Sequence, residues 1–163
     1  MAFGKSMENE NRDFGWALAR IATGIVMAYY GSQKALGLFG GSGFSATVEG
    51  MSSNMGIPEP LVVLAILAEF LGGLGLVVGL LSRVAGFGVF VTMMVAMAVN
   101  ANRVGGFGVL ATGIHDSVNL IFYTFVLGMV ALGVVIQGAG AFSLDARFGI
   151  ESRIGQIFRR NSA

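Results

Sequence analysis

Glu69 is the only carboxylate in the apolar run Leu67–Arg83, and its surroundings define the chemistry open to this chain. A carboxylate at hydrocarbon depth is costly unless a cation or a proton answers it. Lys34, near the end of an earlier apolar run, is a candidate partner. At a rise of ~1.5 Å per residue, Glu69 lies roughly 13 Å below the outer end of its run and Lys34 about 4 Å below the end of its own. A lysine stem reaches several ångströms along a helix, so the two can meet. Tyr30 and Gln33 sit beside Lys34, while Asn100, Asn119 and Tyr123 occupy the outer ends of two later runs. These residues converge as hydrogen-bonding groups for a ligand, with Glu69 as the group that exchanges a proton. Arg20 lies deeper and is expected to serve the inner half, through Gln137 or a lipid phosphate. Arg83 ends the Glu69 run, and Gly72 and Gly73 remove side-chain bulk where another helix can pack.

The elements that must position these groups are apolar helices. Of 163 residues, 55% are hydrophobic and 12% charged, against about 25% charged in a soluble domain. Mean hydropathy is +0.77. The sequence therefore predicts an all-α integral membrane protein, a four-helix bundle with spans at about 14–36, 60–81, 84–101 and 116–137. Residues 1–13 form a polar lead that precedes an uncleaved first span. Residues 14–145 form the membrane domain, with Ser82-Arg83 as a tight turn. Residues 146–163 form an amphipathic cytoplasmic tail helix, with Phe148, Ile150, Ile154, Ile157 and Phe158 beside Arg147, Arg153, Arg159 and Arg160. Lys5, Arg12, Arg83 and the tail arginines fall on one side and Arg103 on the other, which predicts cytoplasmic N- and C-termini. The loop 37–59 contains Gly40-Gly41-Ser42-Gly43, then Met51, Met55 and Ile57, and is expected to cap the bundle from outside.

Helical spacing aligns the polar positions. Arg20, Gly24, Met27, Gly31 and Lys34 share one face, as do Glu69, Gly72, Gly73, Leu76, Leu80 and Arg83. Thr92, Ala96, Asn100 and Arg103 align in the third span, and Asp116, Asn119, Tyr123, Val130 and Gln137 in the fourth. Several chemistries are excluded. The chain has no cysteine, so it offers no thiolate for disulfide exchange, zinc or Fe–S ligation. Its one histidine, His115, cannot supply paired haem ligands and reads as a loop residue beside a capping Asp116. No metal site is expected. Gly40-Gly41-Ser42-Gly43 lacks the Lys-Ser/Thr of a phosphate loop.

Four patches resemble the DoxX family of small four-span membrane proteins. They are Arg20…Gly24 with Gly31…Lys34, Glu69-Phe70-Leu71-Gly72-Gly73 with Gly79…Arg83, Gly105-Gly106-Phe107-Gly108, and Gly138-Ala139-Gly140-Ala141-Phe142-Ser143-Leu144-Asp145. The second and fourth are the specific ones. Where many members carry a histidine near the end of span 3 and a glutamate near the start of span 4, this chain has Asn100 and Asn102, then Asp116 and Asn119. The resemblance implies a multi-pass protein of a prokaryotic cytoplasmic membrane, linked to quinone-dependent electron transfer.

Two functions follow as expectations. In the first, the outer cluster holds a quinone headgroup, with Lys34, Asn100 or Tyr123 donating to its carbonyls and Glu69 exchanging protons. A membrane or outer-face redox protein then brings the electrons, and the chain is part of an oxidoreductase and not catalytic alone. In the second, Glu69, Lys34 and Arg20 only lock the helices of a structural subunit in a homo- or hetero-oligomer. A small-solute transporter ranks last, since no inverted repeat is visible. The lipid bilayer is the expected environment, and no nucleic-acid partner is expected.

Overall fold

The computed structural model describes the backbone of residues 2–107 and 115–149, with side chains over 11–107 and 118–149. It is all-helical, with no strand among the described residues. Helix α1 runs Ala2–Leu36, a short 3-10 turn Leu38–Gly40, α2 Gly43–Met55, α3 Glu59–Val78, α4 Ser82–Arg103, α5 His115–Gln137 and α6 Leu144–Phe148. Three stretches are long and apolar enough to cross a membrane, Glu59–Val78, Ser82–Arg103 and Val118–Gln137. Helix α1 carries Arg20 and Lys34 within its apolar part and falls outside that set. The polar lead is helical and continuous with α1, since nothing after Gly4 breaks the helix before Gly15. The tail residues Ile150, Arg153, Ile154, Ile157, Phe158, Arg159 and Arg160 lie outside the described residues, as do Gly108 and the side chains of Lys5, His115 and Asp116.

Helix α3 starts where Pro60 needs no backbone donor, with Glu59 in the first turn favoured by the helix dipole. It ends at Gly79, whose φ of 70° only glycine adopts without strain. The turn to α4 is therefore Gly79–Leu81, earlier than the Ser82-Arg83 turn expected from the sequence, and Ser82 and Arg83 open α4. Leu80 and Arg83 consequently leave the buried face of α3, and both are exposed.

Glycines set the packing order. On α1, a Cβ at Gly24 would lie 2.7 Å from the Val77 nitrogen, and one at Gly31 would lie 2.5 Å from Phe70 Cα. On α3, a Cβ at Gly73 would strike the Ala28 backbone. The backbones of α1 and α3 thus touch, as small residues at helical spacing allow. Gly72, one residue along, faces α4 instead, with Val89 at 3.2 Å and the Ala85 carbonyl at 3.4 Å from a built Cβ. Helix α3 is therefore clasped on two sides. Gly86 brings α4 against the Ala131 carbonyl of α5 in the same way, at 3.0 Å. The order around the bundle is α1, α3, α4, α5, with α5 returning to α1 through a sparser seam. Met27, Leu76, Val89, Met93, Leu127, Ala131 and Val134 fill the centre. Gly73→Val should force α1 off α3 and destabilise the protein by about 3 kcal/mol, the upper range for overpacking; thermal unfolding in detergent measures it.

The end of the bundle at the α3–α4 turn is held by charged side chains on backbone groups. Arg20 is fully buried and donates to the carbonyls of Leu76, of Val77 (3.4 Å) and of Phe142 (2.6 Å). Its partners are thus the C-terminal end of α3 and the segment before α6. Gln137, expected from the sequence, is exposed and is not among them, and Arg20 at 0% exposure presents no surface to a lipid phosphate. Arg83 donates to the Val135 and Ile136 carbonyls at 2.6 and 3.1 Å, closing the C-terminus of α5. Asp145, buried at 2% exposure, accepts from the amides of Leu81 and Ser82 at 2.8 Å each and caps α4. Arg83→Met should cost about 1 kcal/mol, the usual loss for an exposed helix-end cation, read in the same unfolding assay.

Candidate functional site

The α1–α3 seam fixes the site. Gly31 rests on the backbone of Glu69 and Phe70, so Lys34, one turn further, projects across the same crossing. Its ammonium meets both carboxylate oxygens of Glu69, at 2.7 and 2.5 Å. The Glu69 side chain is 4% exposed and that of Lys34 33%. The carboxylate is therefore taken out of solvent while the ammonium still reaches its edge. Among the described residues no three histidine, cysteine, aspartate or glutamate side chains cluster as metal ligands.

The pair forms the floor of a cleft of about 1380 Å³. Helices α3 and α4 meet closely at Ala68 and Gly88, where a built Cβ on Gly88 would lie 3.2 Å from the Ala68 Cβ. Beyond that point the cleft runs between them, lined by Leu61, Leu64 and Ala65 on α3 and by Val91, Thr92 and Val95 on α4. Met27 and Tyr30 of α1 and Tyr123, Thr124 and Leu127 of α5 form the back wall. Helix α2 roofs it with Ala46, Thr47, Gly50, Met51 and Asn54, one face of a helix that has no buried residue of its own.

Of the residues singled out from the sequence, Glu69, Lys34, Tyr30, Asn100, Asn119 and Tyr123 all line this one cleft. Tyr30 and Tyr123 meet edge-to-face, their ring centroids 6.1 Å apart, and tie α1 to α5 beside the ion pair. Gln33 does not join them. A step of one residue turns it about 100° away, and its backbone instead packs under Gly41. Gly72, Gly73, Arg20 and Arg83 lie outside the cleft and hold the helices that shape it.

Two features escaped the sequence reading. The sequence marks 37–59 as a cap but not as a helix, and Met51, Met55 and Ile57, its apolar stretch, all line the cleft. Asp145 has no role in the sequence reading beyond closing a motif at the end of the membrane domain. It fixes the turn from which α3 and α4 diverge. The motif's ending on a buried acid after Gly-x-Gly-x-Phe-Ser was the signal that could have found it. Arg103 also lines the cleft rim.

Chemically, the arrangement presents donors and one carboxylate at the end of an apolar cavity. Lys34, the tyrosine hydroxyls and the asparagine amides can donate to carbonyl oxygens of a ligand, and Glu69 can accept from a hydroxyl. Against known proteins, a family model described as DoxX matches residues 15–101, just over half of the chain. No curated protein and no solved structure matches it.

Proposed function

Because the chain belongs to the DoxX family of membrane proteins, we propose that it crosses the bilayer four times and holds the headgroup of a membrane quinone at the Lys34–Glu69 pair. Helix α1 is the fourth span, its two cations covered by α3. Arg12, Arg83 and Arg147 lie at the α3–α4 turn end and Arg103 at the other, which supports a cytoplasmic turn end and cytoplasmic termini in a prokaryotic inner membrane.

The observation that carries this reading is a bidentate ion pair, one partner almost fully buried, at the floor of an apolar cleft. The residues suit the ligand. A quinone presents two carbonyl oxygens on an apolar ring, and here donors surround a cavity lined by Met27, Ile66, Val62 and Leu127. When bound, the quinone supplies two-electron, two-proton redox chemistry. Lys34 would donate to one quinone carbonyl, Tyr30 or Tyr123 would hold the ring, and Glu69 would exchange one of the two protons, the other passing to or from water or a partner protein. Cysteine-free and with one histidine, the chain leaves electron delivery to a partner, which fits the role of a subunit in a quinone-linked oxidoreductase.

A second reading has its own observation. Both oxygens of Glu69 are already engaged, as in a bridge that only locks helices, and the protein would then be a non-catalytic assembly subunit. Purification from native membranes in mild detergent separates the two. About one extractable quinone per chain supports the first; a stoichiometric partner complex with no quinone supports the second.

A further inference from the structure

The cleft is larger than a headgroup needs. Pockets for compact ligands span about 300–1,000 Å³, and this one reaches about 1380 Å³. Two sides of the cleft reach the outside of the bundle: on the α1–α5 side Tyr30 and Tyr123 meet edge-to-face across it, while the α3–α4 side has no such ring contact across it among the described residues. There Leu61, Leu64, Phe87, Val91 and Val95 line the cleft and are also exposed on the outside of the bundle, at 55, 60, 58, 42 and 50%. A side chain that both lines a cavity and faces outward marks an opening. Every residue of this rim is apolar, so the opening faces hydrocarbon and offers nothing to water. On that side the polar lining residue Thr92 spends its hydroxyl on the Gly88 carbonyl of its own helix, at 2.9 Å; Lys34 and Glu69 lie at the floor, and Asn54, Asn100, Arg103 and Asn119 toward the α2 end.

We propose that the gap between α3 and α4 is a lateral portal, through which a long-chain lipophile with a hydrogen-bonding head enters from the bilayer and lies with its head at Lys34–Glu69 and its chain against Leu64 and Val91. The proposal rests on the reading of the cleft as a ligand site, and it names the class of ligand: a tailed molecule, selected by its chain as much as by its head. Several features set the portal. Ala68 against Gly88 fixes its lower corner. The α3–α4 turn, pinned by Asp145, is the vertex from which the helices diverge. The glycine at position 88 lets the helices meet there and part beyond.

Photolabelling tests this without presuming a quinone. The full chain is reconstituted in phosphatidylcholine–phosphatidylglycerol vesicles with palmitic acid carrying a mid-chain diazirine, and adducts are mapped by mass spectrometry. Met27, Ile66 and Met93 line the cleft yet are 1, 1 and 6% exposed, so only a chain inside the cleft can reach them. Leu71 and Phe125 are exposed at 56 and 43% and lie outside the cleft, and they report surface lipid. Val91→Trp and Leu64→Trp, tested separately, should each cut the buried adducts roughly tenfold, as when access to a few buried methylenes is lost. The surface adducts should stay unchanged. Adducts confined to Leu71 and Phe125, or buried adducts that neither tryptophan reduces, would overturn the portal. A decyl-tailed benzoquinone and its tailless parent are added as competitors. Displacement by the tailed compound alone supports both readings. If buried adducts form, close with the tryptophans, and neither quinone displaces them, the portal stands and the quinone reading fails.

Discussion

Asp145→Ala should lower the unfolding temperature of the detergent-solubilised protein by on the order of 10 °C, although the residue lies outside the cleft. Its two carboxylate oxygens accept from the amides of Leu81 and Ser82 at 2.8 Å each. Each such charge-assisted bond is worth about 1.5–3 kcal/mol net, so the pair contributes roughly 3–6 kcal/mol. The strain at Leu81 offsets a part of this. Its φ of 49° is left-handed, a region a branched side chain enters only when its surroundings impose it. Asp145 is what imposes it, and its own amide returns a bond to the Gly79 carbonyl at 2.8 Å. Asp145→Asn keeps one acceptor and should lose about half as much. A change within about 2 °C, below 1 kcal/mol on the same scale, would contradict the assignment of Asp145 as the pin of the turn.

The second large effect is an asymmetry between the two members of the ion pair. Lys34→Met strands a carboxylate with 4% exposure, a loss of about 3–5 kcal/mol for a buried charge left without its partner. Glu69→Gln leaves a lysine that is 33% exposed and can reach water by its stem, so it should cost only about 1 kcal/mol. The double variant removes both charges and should regain most of the stability lost in Lys34→Met, giving a coupling of about 3–4 kcal/mol in a double-mutant cycle. Equal losses from the two single changes would mean that Glu69 is not buried as described. Unfolding of all four proteins under one detergent condition settles the comparison.

Much of this architecture is legible in the residues. Hydropathy locates the apolar helices. The four-three spacing of Arg20, Gly24, Met27, Gly31 and Lys34 gives the inward face of α1, and depth alone brings Lys34 within reach of Glu69. What the sequence conceals has physical causes. Arg20 binds backbone carbonyls, and a carbonyl has no signature in the sequence. The α3–α4 turn falls earlier than Ser82-Arg83 because Leu81 adopts a conformation against its own preference, enforced by a residue 64 positions away. Gln33 looks like a neighbour of Lys34 in sequence but is turned off the cleft. Helix α2 is short, glycine-flanked and without a buried face, so its place over the cleft comes from packing on α1 and α3 and not from its own pattern.

The central claim is that the Lys34–Glu69 floor binds a quinone headgroup, and the most direct measurement is binding of a labelled quinone analogue to the purified protein in lipid nanodiscs. The wild type should bind saturably, Glu69→Gln and Lys34→Met should each weaken binding by at least roughly tenfold, the loss of one charged hydrogen-bonding partner, and the double variant should fold yet not bind. Unaltered binding in both single variants would contradict the claim.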